Sequence, residues 1–476
     1  MKVSRTLWMA CVVLFAGLSL ASAQTWTPLT NQPNFGASTA LLLTDGTVMV
    51  HDVGAQDWWK LTPDSNGDYV NGTWSQLASL PSGYSPLYYS SAVLPDGRVI
   101  VMGGEYNFFS PVWTTLGAIY NPKTNKWKSM NHPAGWTTLG DAQSVILADG
   151  TYMQANCCTK DAALLNPKTL TWTPVGTGKA DINDEEGWSL LPNGQVLTVD
   201  AFNGLNSELF NPATGAWSLA GSTIVSLVDL SSAEIGPSVL RPDGTVFAIG
   251  ATGHNAIYNT ATGAWSAGPD FPKVGGRFLD VADGPAALLP NGNVLTGASP
   301  AIFQTNTTFF EFDGTHLNQV AGTPNSHNFS SYEGRMLVLP TGQVLFTDGT
   351  GDVEIYTSAG SANPAWAPAI TKAPKTVVHG KTYTVKGTQF NGLSQAGAYG
   401  DDAQAATNYP LVRITNNASG HVFYAATKNH SSMGVATGAA IIITHFTVPA
   451  GIELGASQLV VVANGIASSP VSLMIN

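Results

Sequence analysis

Seven copies of one short pattern run through this chain, and their spacing leaves few folds open. Each copy is an apolar run, then Asp-Gly or a relative, then a second run rich in β-formers. The copies are Leu41–Val50, Ala92–Val101, Val145–Gln154, Leu190–Val199, Val239–Ala248, Ala287–Thr296 and Leu337–Phe346. The turn glycines Gly46, Gly97, Gly150, Gly194, Gly244, Gly292 and Gly342 stand 51, 53, 44, 50, 48 and 50 residues apart. Each copy reads as a hairpin closed by a two-residue turn that accepts positive φ. Strand–turn–strand units at a period of about 50 are the mark of propeller blades.

A second echo supplies the other half of a blade. Tyr120-Asn121-Pro122 leads to Trp127, Leu165-Asn166-Pro167 to Trp172, Phe210-Asn211-Pro212 to Trp217 and Tyr258-Asn259-Thr260 to Trp265. Each joins a third strand to a fourth. Four strands per unit and seven units close into a ring with short, protected edges: a seven-bladed kelch-type β-propeller. A long β-sandwich would give regularly spaced strands without the doubled motif. The N-terminal Trp26-Thr27-Pro28-Leu29 resembles the fourth strands and is expected to close the ring on the seventh blade.

The Pro/Ala-rich stretch Asn363–Pro374 has the composition of a domain connector. Beyond it, strands are expected at Lys381–Lys386, Leu411–Thr415, His421–Ala425, Ala440–Val448, Gln458–Val462 and Val471–Ile475, the rhythm of an immunoglobulin-like (early-set) β-sandwich. At the other end, Lys2 and Arg5 precede an apolar run from Leu7 to Leu20, and Ala21-Ser22-Ala23 is a small-residue cleavage site before Gln24. That run is too short to span a bilayer. The expected organisation is therefore a signal peptide over 1–23, the propeller over 24–366 and the sandwich over 367–476, all-β, secreted or periplasmic, with no membrane insertion.

Cleavage removes Lys2 and Arg5, so the formal net charge of −11 becomes −13. Only 11% of residues are charged, well under the usual quarter. An acidic, weakly charged chain argues against nucleic acid or an anionic membrane as partner. Two cysteines survive cleavage, the neighbours Cys157 and Cys158. They are either two thiols or a vicinal disulfide, and the bridge, a rigid apolar plate, is the expectation in an oxidising compartment.

The repeat also locates a face. Nine residues before the turn glycines lie Ala37, Tyr88, Asp141, Glu185, Ile235, Asp283 and Glu333, with Glu234 one step before Ile235. These are the starts of the innermost strands, so five blades offer a carboxylate at one rim of the channel. Asp52, Asp200 and Asp348, six residues after their glycines, return to the same rim. Such a ring can hold a hard cation, split carboxylate pKa values for acid–base work, or cap neighbouring loops. Capping suits the second-strand aspartates; a ligand suits the first-strand set, Asp141, Glu185, Glu234, Asp283 and Glu333. Trp136, His327 and Phe108-Phe109 lie on loops of this face and are placed to stack on a sugar ring.

At this point the chain resembles the galactose oxidase/glyoxal oxidase superfamily, a kelch propeller followed by an early-set sandwich, over essentially its whole mature length. Members hold one copper with two tyrosines and two histidines, one tyrosine being thioether-linked to a cysteine. The resemblance puts Tyr88 at the cross-linked tyrosine, Tyr332 at the axial tyrosine, and Tyr106 where an aromatic stacks over the cross-link. It puts His430 at the histidine that a sandwich loop carries up the channel. Two departures stand against it: Asn34-Phe35-Gly36-Ala37 has no cysteine, and Glu333 replaces the other histidine. A His/Glu/Tyr/Tyr set is a harder site than copper oxidases use. Without the resemblance, Tyr88 and Tyr332 read equally well as inner-strand packing, and His430 as a surface-loop histidine.

The expected function is binding, or metal-dependent conversion, of a carbohydrate or small polar molecule at a carboxylate-rich mouth. A divalent metal, calcium or copper, would sit at Glu333, His430 and Tyr332, with Tyr88 beside it as a catalytic residue. No Tyr–Cys radical cofactor is expected. The alternatives are a copper-radical oxidase-like oxidoreductase and a non-catalytic scaffold for a cell-surface glycan or protein.

Overall fold

The computed structural model describes residues 24–399 and 405–476; the expected signal peptide lies outside the described residues. The described chain is β throughout save two 3-10 turns, Ser331–Glu333 and Pro364–Trp366. Among the described residues no helix is long and apolar enough to cross a membrane. Blade 1 comprises Ala37–Leu42, Val48–Asp52, Trp58–Thr62 and Thr73–Gln76 in that order from the axis outward. Blade 2 comprises Ser90–Val93, Val99–Met102, Gly117–Asn121 and Lys126–Ser129. The innermost strands of blades 3 to 7 begin at Ser144, Ser189, Ser238, Pro285 and Arg335. The seventh blade takes its fourth strand from the other end of the chain: Thr25–Pro28 pairs antiparallel with Glu354–Thr357. The ring is thus closed as the Trp26 segment led one to expect, and no blade is left with an open edge inside the ring.

The repeated hairpin differs in one detail. Its connection is three residues, not two: Leu43 N–H donates to Thr47 O, and Gly46 N–H donates back to Leu43 O. Only the glycine is left-handed (φ 77° at Gly46, 86° at Gly97), so Asp45 and Asp96 keep ordinary backbone and use their carboxylates to accept the N–H two residues on. A type I′ turn would need positive φ at both central residues; the longer turn needs it once. The outer-strand tryptophans bind neighbouring blades together. Trp127 Nε1 donates to Ala78 O, Trp172 Nε1 to Asn131 O and Trp265 Nε1 to Ser207 Oγ. A wide ring that still carries one donor suits that half-buried seam.

The sandwich strands are Ala369–Lys372, Thr382–Thr388, Leu411–Asn416, Val422–Lys428, Ile442–Thr447, Gly455–Ala463 and Val471–Ile475, with the short Thr376–Val377. Val385, Phe390, Val412, Ile414, Phe446, Leu459 and Leu473 fill its own core. It docks on the turn end of the propeller: Thr427 N–H donates to Thr44 O and Met433 N–H to Ala148 O. From that end a sandwich segment enters the channel. Leu288 N–H donates to Ala396 O, and Gly397–Tyr399 pairs antiparallel with the innermost strand of blade 6, Tyr399 facing Pro285. The segment that climbs the axis is therefore the one before residue 400, not the one around His430.

Candidate functional site

Four of the seven rim positions, and Glu234 one step before a fifth, deliver what their register promised. A cavity of about 310 Å³ opens at the mouth opposite the sandwich, and Tyr88, Asp141, Glu185, Glu234 and Asp283 line it. Tyr106, Tyr332, Glu105 and Phe303 complete the wall. One oxygen each from Glu185, Glu234 and Asp283 lie within 4.8 Å of one another. These three come from the connections that lead into blades 4, 5 and 6, so equal register in adjacent blades places them side by side.

The backbone is unusual where the side chains converge. Tyr88 (φ 49°), Glu185 (φ 56°) and Asp283 (φ 46°) are all left-handed, a region that non-glycine residues seldom occupy. Each such residue costs on the order of 1 kcal/mol or more, and the surrounding fold must enforce it. The tyrosine wall is built by edge contacts: Tyr88 and Tyr106 at 6.0 Å, Phe303 and Tyr332 at 5.1 Å. The negative charge of Glu105, then burial, then Asp141 push the Tyr106 phenol above its ordinary pKa. Burial, then Glu333 and Tyr106, do the same to Tyr332. Both phenols keep their protons at neutral pH and can donate hydrogen bonds into the cavity.

Three expected site residues are elsewhere. His430 lies at the turn end, against Pro95 and Asp149, its Nδ1 2.8 Å from Thr444 Oγ1 and its ring parallel to Tyr409. Burial, reinforced by His445, lowers its pKa to about 3, so it is a neutral packed imidazole. Glu333 turns back on its own 3-10 turn, where Oε2 accepts Ser330 N–H at 2.8 Å. That bond satisfies a helix-start donor and draws the carboxylate off the cavity wall. Trp136 packs against a hydrophobic core cluster and is not among the residues that line the cavity. The structure thus does not assemble Glu333, His430 and Tyr332 into one centre. Sequence reasoning missed Glu105 and Phe303; the only signal for Glu105 was its place between Gly104 and Tyr106.

Behind the cavity wall lies a second acidic group, of which the repeat pattern announced only Asp200, and as a loop cap; Asp200 pairs there with a buried lysine instead. Lys179 Nζ donates to Glu208 Oε2 at 2.6 Å and Glu186 Oε1 at 3.0 Å and pairs with Asp200 Oδ1 at 3.5 Å, all buried. The Trp217 ring lies 5.3 Å from the ammonium. Asp181 is hydrogen-bonded to the N–H groups of Phe202 and Asn203. Burial would lower the Lys179 pKa, but Glu186, Asp200 and Glu208 outweigh it and hold the ammonium charged. Burial raises Glu186 and Asp200, with Lys179 opposing only in part. On a neighbouring loop, between the second and third strands of blade 3, Cys157 and Cys158 are bridged, and Cys157 Sγ is 3.8 Å from Asp184 Oδ1. Burial and Asp181 raise the Asp184 pKa to about 6.

The donor set decides which metal the cavity suits. Its walls offer carboxylates and phenols, and none of its lining residues is a histidine or cysteine. Oxygen-only donors fit a hard cation such as calcium and do not fit the two-imidazole copper set of the resembled family.

No family model and no curated protein matches the chain. Solved structures do. A fungal alcohol oxidase of the AA5 family, in complex with copper, aligns at TM-score 0.54 and 13% identity over 96% of this chain and 100% of that one. The extracellular domain of a hybrid two component system from B. thetaiotaomicron aligns at TM-score 0.51 and 11% identity, over 96% of this chain and 59% of that one. At such identities the likeness is one of fold alone: this chain shares its overall fold with a copper-bound alcohol oxidase.

Proposed function

We propose that this is an exported binding protein whose propeller mouth recognises a small polar ligand, of carbohydrate or similar class, through positive charge held by Glu185, Glu234 and Asp283. That charge comes from a divalent ion such as calcium or from the ligand itself. The observation that carries the reading is the meeting of three carboxylates from three successive blades on the wall of one tyrosine-lined cavity. A cavity of this volume is at the lower end for ligand sites, roughly 300–1,000 Å³. Tyr88, Tyr106 and Tyr332 would orient the ligand by stacking and by hydrogen bonds from their hydroxyls.

The test is thermal unfolding of the chelated protein with calcium, manganese, zinc, copper and a glycan panel. A bound ion or ligand at a hundredfold excess over its Kd adds about 2.7 kcal/mol. Glu234→Gln should abolish the gain. Identical melting under every condition would retire the proposal.

A second reading, an oxidase-like activity on a small molecule, is favoured by one observation: the fold shared with a copper alcohol oxidase, with Tyr88 and Tyr332 in one cavity. Against it, Cys157 and Cys158 are joined to each other, so among the described residues no thiol is left for a tyrosine cross-link, and the described cavity lining carries no imidazole. Copper-loaded protein should release no peroxide with galactose, glyoxal or simple alcohols. Peroxide that follows copper occupancy and disappears in Tyr88→Phe would restore the oxidase reading.

A further inference from the structure

The bridge between neighbouring cysteines is a feature of the sequence that the cavity does not use. It does little as a staple, since neighbours enclose almost no chain. Its place in the fold is more telling. Cys157 is buried and Cys158 half-buried, on the loop between the second and third strands of blade 3. That loop is laced to the connection that leads into blade 4. Cys158 N–H donates to Asn183 O at 2.9 Å, Asn183 N–H returns to Thr159 O at 2.6 Å, and Asn183 Nδ2 donates to Asp161 O at 3.0 Å. Just beyond Asn183, Glu185 reaches the cavity and Glu186 the buried ammonium of Lys179.

We propose that the Cys157–Cys158 bridge is a reversible redox switch for the loop that bears Glu185, pinning residues 181–184 when closed and releasing them when a small dithiol reduces it. It rests on the reading of the cavity only for what the switch controls. Cys158 is left-handed (φ 64°), a conformation that a residue with a Cβ seldom adopts. Closing a ring between neighbours imposes that backbone, and the same residue donates the hydrogen bond to Asn183 O. A freed Cys158 relaxes toward ordinary φ and takes its N–H away from Asn183.

The sulfurs are disposed for the exchange. One thiolate of the dithiol attacks the half-buried Cys158 Sγ, the S–S bond breaks, and Cys157 leaves as a thiolate that takes up a proton. The second thiol of the reductant attacks the mixed disulfide, freeing Cys158 as a thiol and the reductant as its cyclic disulfide. Two electrons and two protons thus pass from the dithiol to the bridge. Asp184 Oδ1, 3.8 Å from Cys157 Sγ, then accepts a hydrogen bond from an S–H that the bridged form does not possess. An acceptor is already in place for the reduced state. No third cysteine among the described residues competes for either thiol, so reoxidation restores the same bond.

Hydrogen–deuterium exchange of the full mature chain, read by mass spectrometry with and without dithiothreitol under native conditions, tests this. Iodoacetamide should label two thiols in the treated, still folded protein and none in the untreated one. Exchange in peptides covering 157–161 and 181–186 should rise about tenfold or more, the mark of a local opening, while the blade 1 hairpin over 41–50 stays unchanged. Oxidised glutathione should restore slow exchange. Cys157→Ser with Cys158→Ser should exchange like the reduced protein whether or not dithiothreitol is present; the wild-type comparison stands without it if that variant fails to fold. A bridge that resists dithiothreitol until the whole chain unfolds, or one that is reduced while exchange over 181–186 holds steady, would overturn the inference. Ligand binding enters none of these readouts, so failure here leaves the cavity reading untouched, and failure of the cavity reading leaves the switch standing.

Discussion

The Lys179 cluster and the mouth cavity are two answers to one electrostatic problem, set a residue apart in the chain. In the first, four buried acids, Asp181, Glu186, Asp200 and Glu208, surround one internal ammonium and a set of backbone and hydroxyl donors. In the second, the acids line an open cavity with phenols for neighbours. The first is closed and structural, because a buried charge without compensation is costly. The second opens to solvent, where an acidic wall serves attraction of a positive group from outside better than it serves stability. The lesson is that acidity alone does not separate scaffold from site; closure does.

The largest effect should come from breaking the closed group. Lys179→Met strands Glu186, Asp200 and Glu208 and should cost about 3–5 kcal/mol by urea unfolding. Glu185→Gln, one residue from that cluster's own glutamate, should cost far less, because it removes no partner of the buried ammonium. If the two variants unfold alike, the distinction collapses.

Next in size is the ligand-linked stabilisation of the open group, about 2.7 kcal/mol at a hundredfold excess over Kd, lost in Glu234→Gln and kept in Asp52→Asn. Asp52 accepts Gly36 N–H at 3.1 Å and does not line the cavity, so it controls for a general loss of rim charge.

A smaller, pH-linked effect sharpens the same contrast. Burial raises Asp200 above the usual carboxylate range. A carboxyl raised in the folded state contributes stability below its unfolded pKa, and that contribution is lost as pH rises through the folded value. Wild type should therefore lose stability relative to Asp200→Asn as pH climbs from about 4 toward neutrality. The difference should be measured between the two proteins, because the buried neutral His51 and His430, lowered to about 4 and 3, act in the opposite direction on acidification. A constant difference across that range would mean that Asp200 does not titrate there.

The smallest effect belongs to the bridge between Cys157 and Cys158. Alkylation without reductant should label neither residue, and reduction should change unfolding free energy by less than about 1 kcal/mol, because neighbours enclose almost no chain. Its consequence should be local, at Asp184 and the loop that carries Glu185.

Much of this was readable along the chain, and the reason is repetition. Each blade restates the same hairpin, so the interval from turn glycine to rim is constant, and it points to Tyr88, Asp141, Glu185 and Asp283, with Glu234 one residue off. Trp26 was readable as a blade strand because its outer-strand character is local. Residues outside the repeat were not readable that way. Glu333 has the rim register, yet a hydrogen bond within its own turn withdraws it. His430 looked like a channel residue because small residues and glycine follow it. Which sandwich loop enters the channel is decided by how two domains dock, and Ala396–Tyr399 gives no local sign of pairing with blade 6.

What the sequence by itself determined is therefore the blade count, the closure of the ring and the acidic rim, since each follows from short-range patterns repeated at a fixed period. Only the tertiary structure decided which acids meet in an open cavity, which are sealed around Lys179, and which histidine is mere packing. Those outcomes depend on contacts between segments distant in the chain, such as Lys179 with Glu208 or Leu288 with Ala396, and the energy of a buried charge is set by everything that surrounds it.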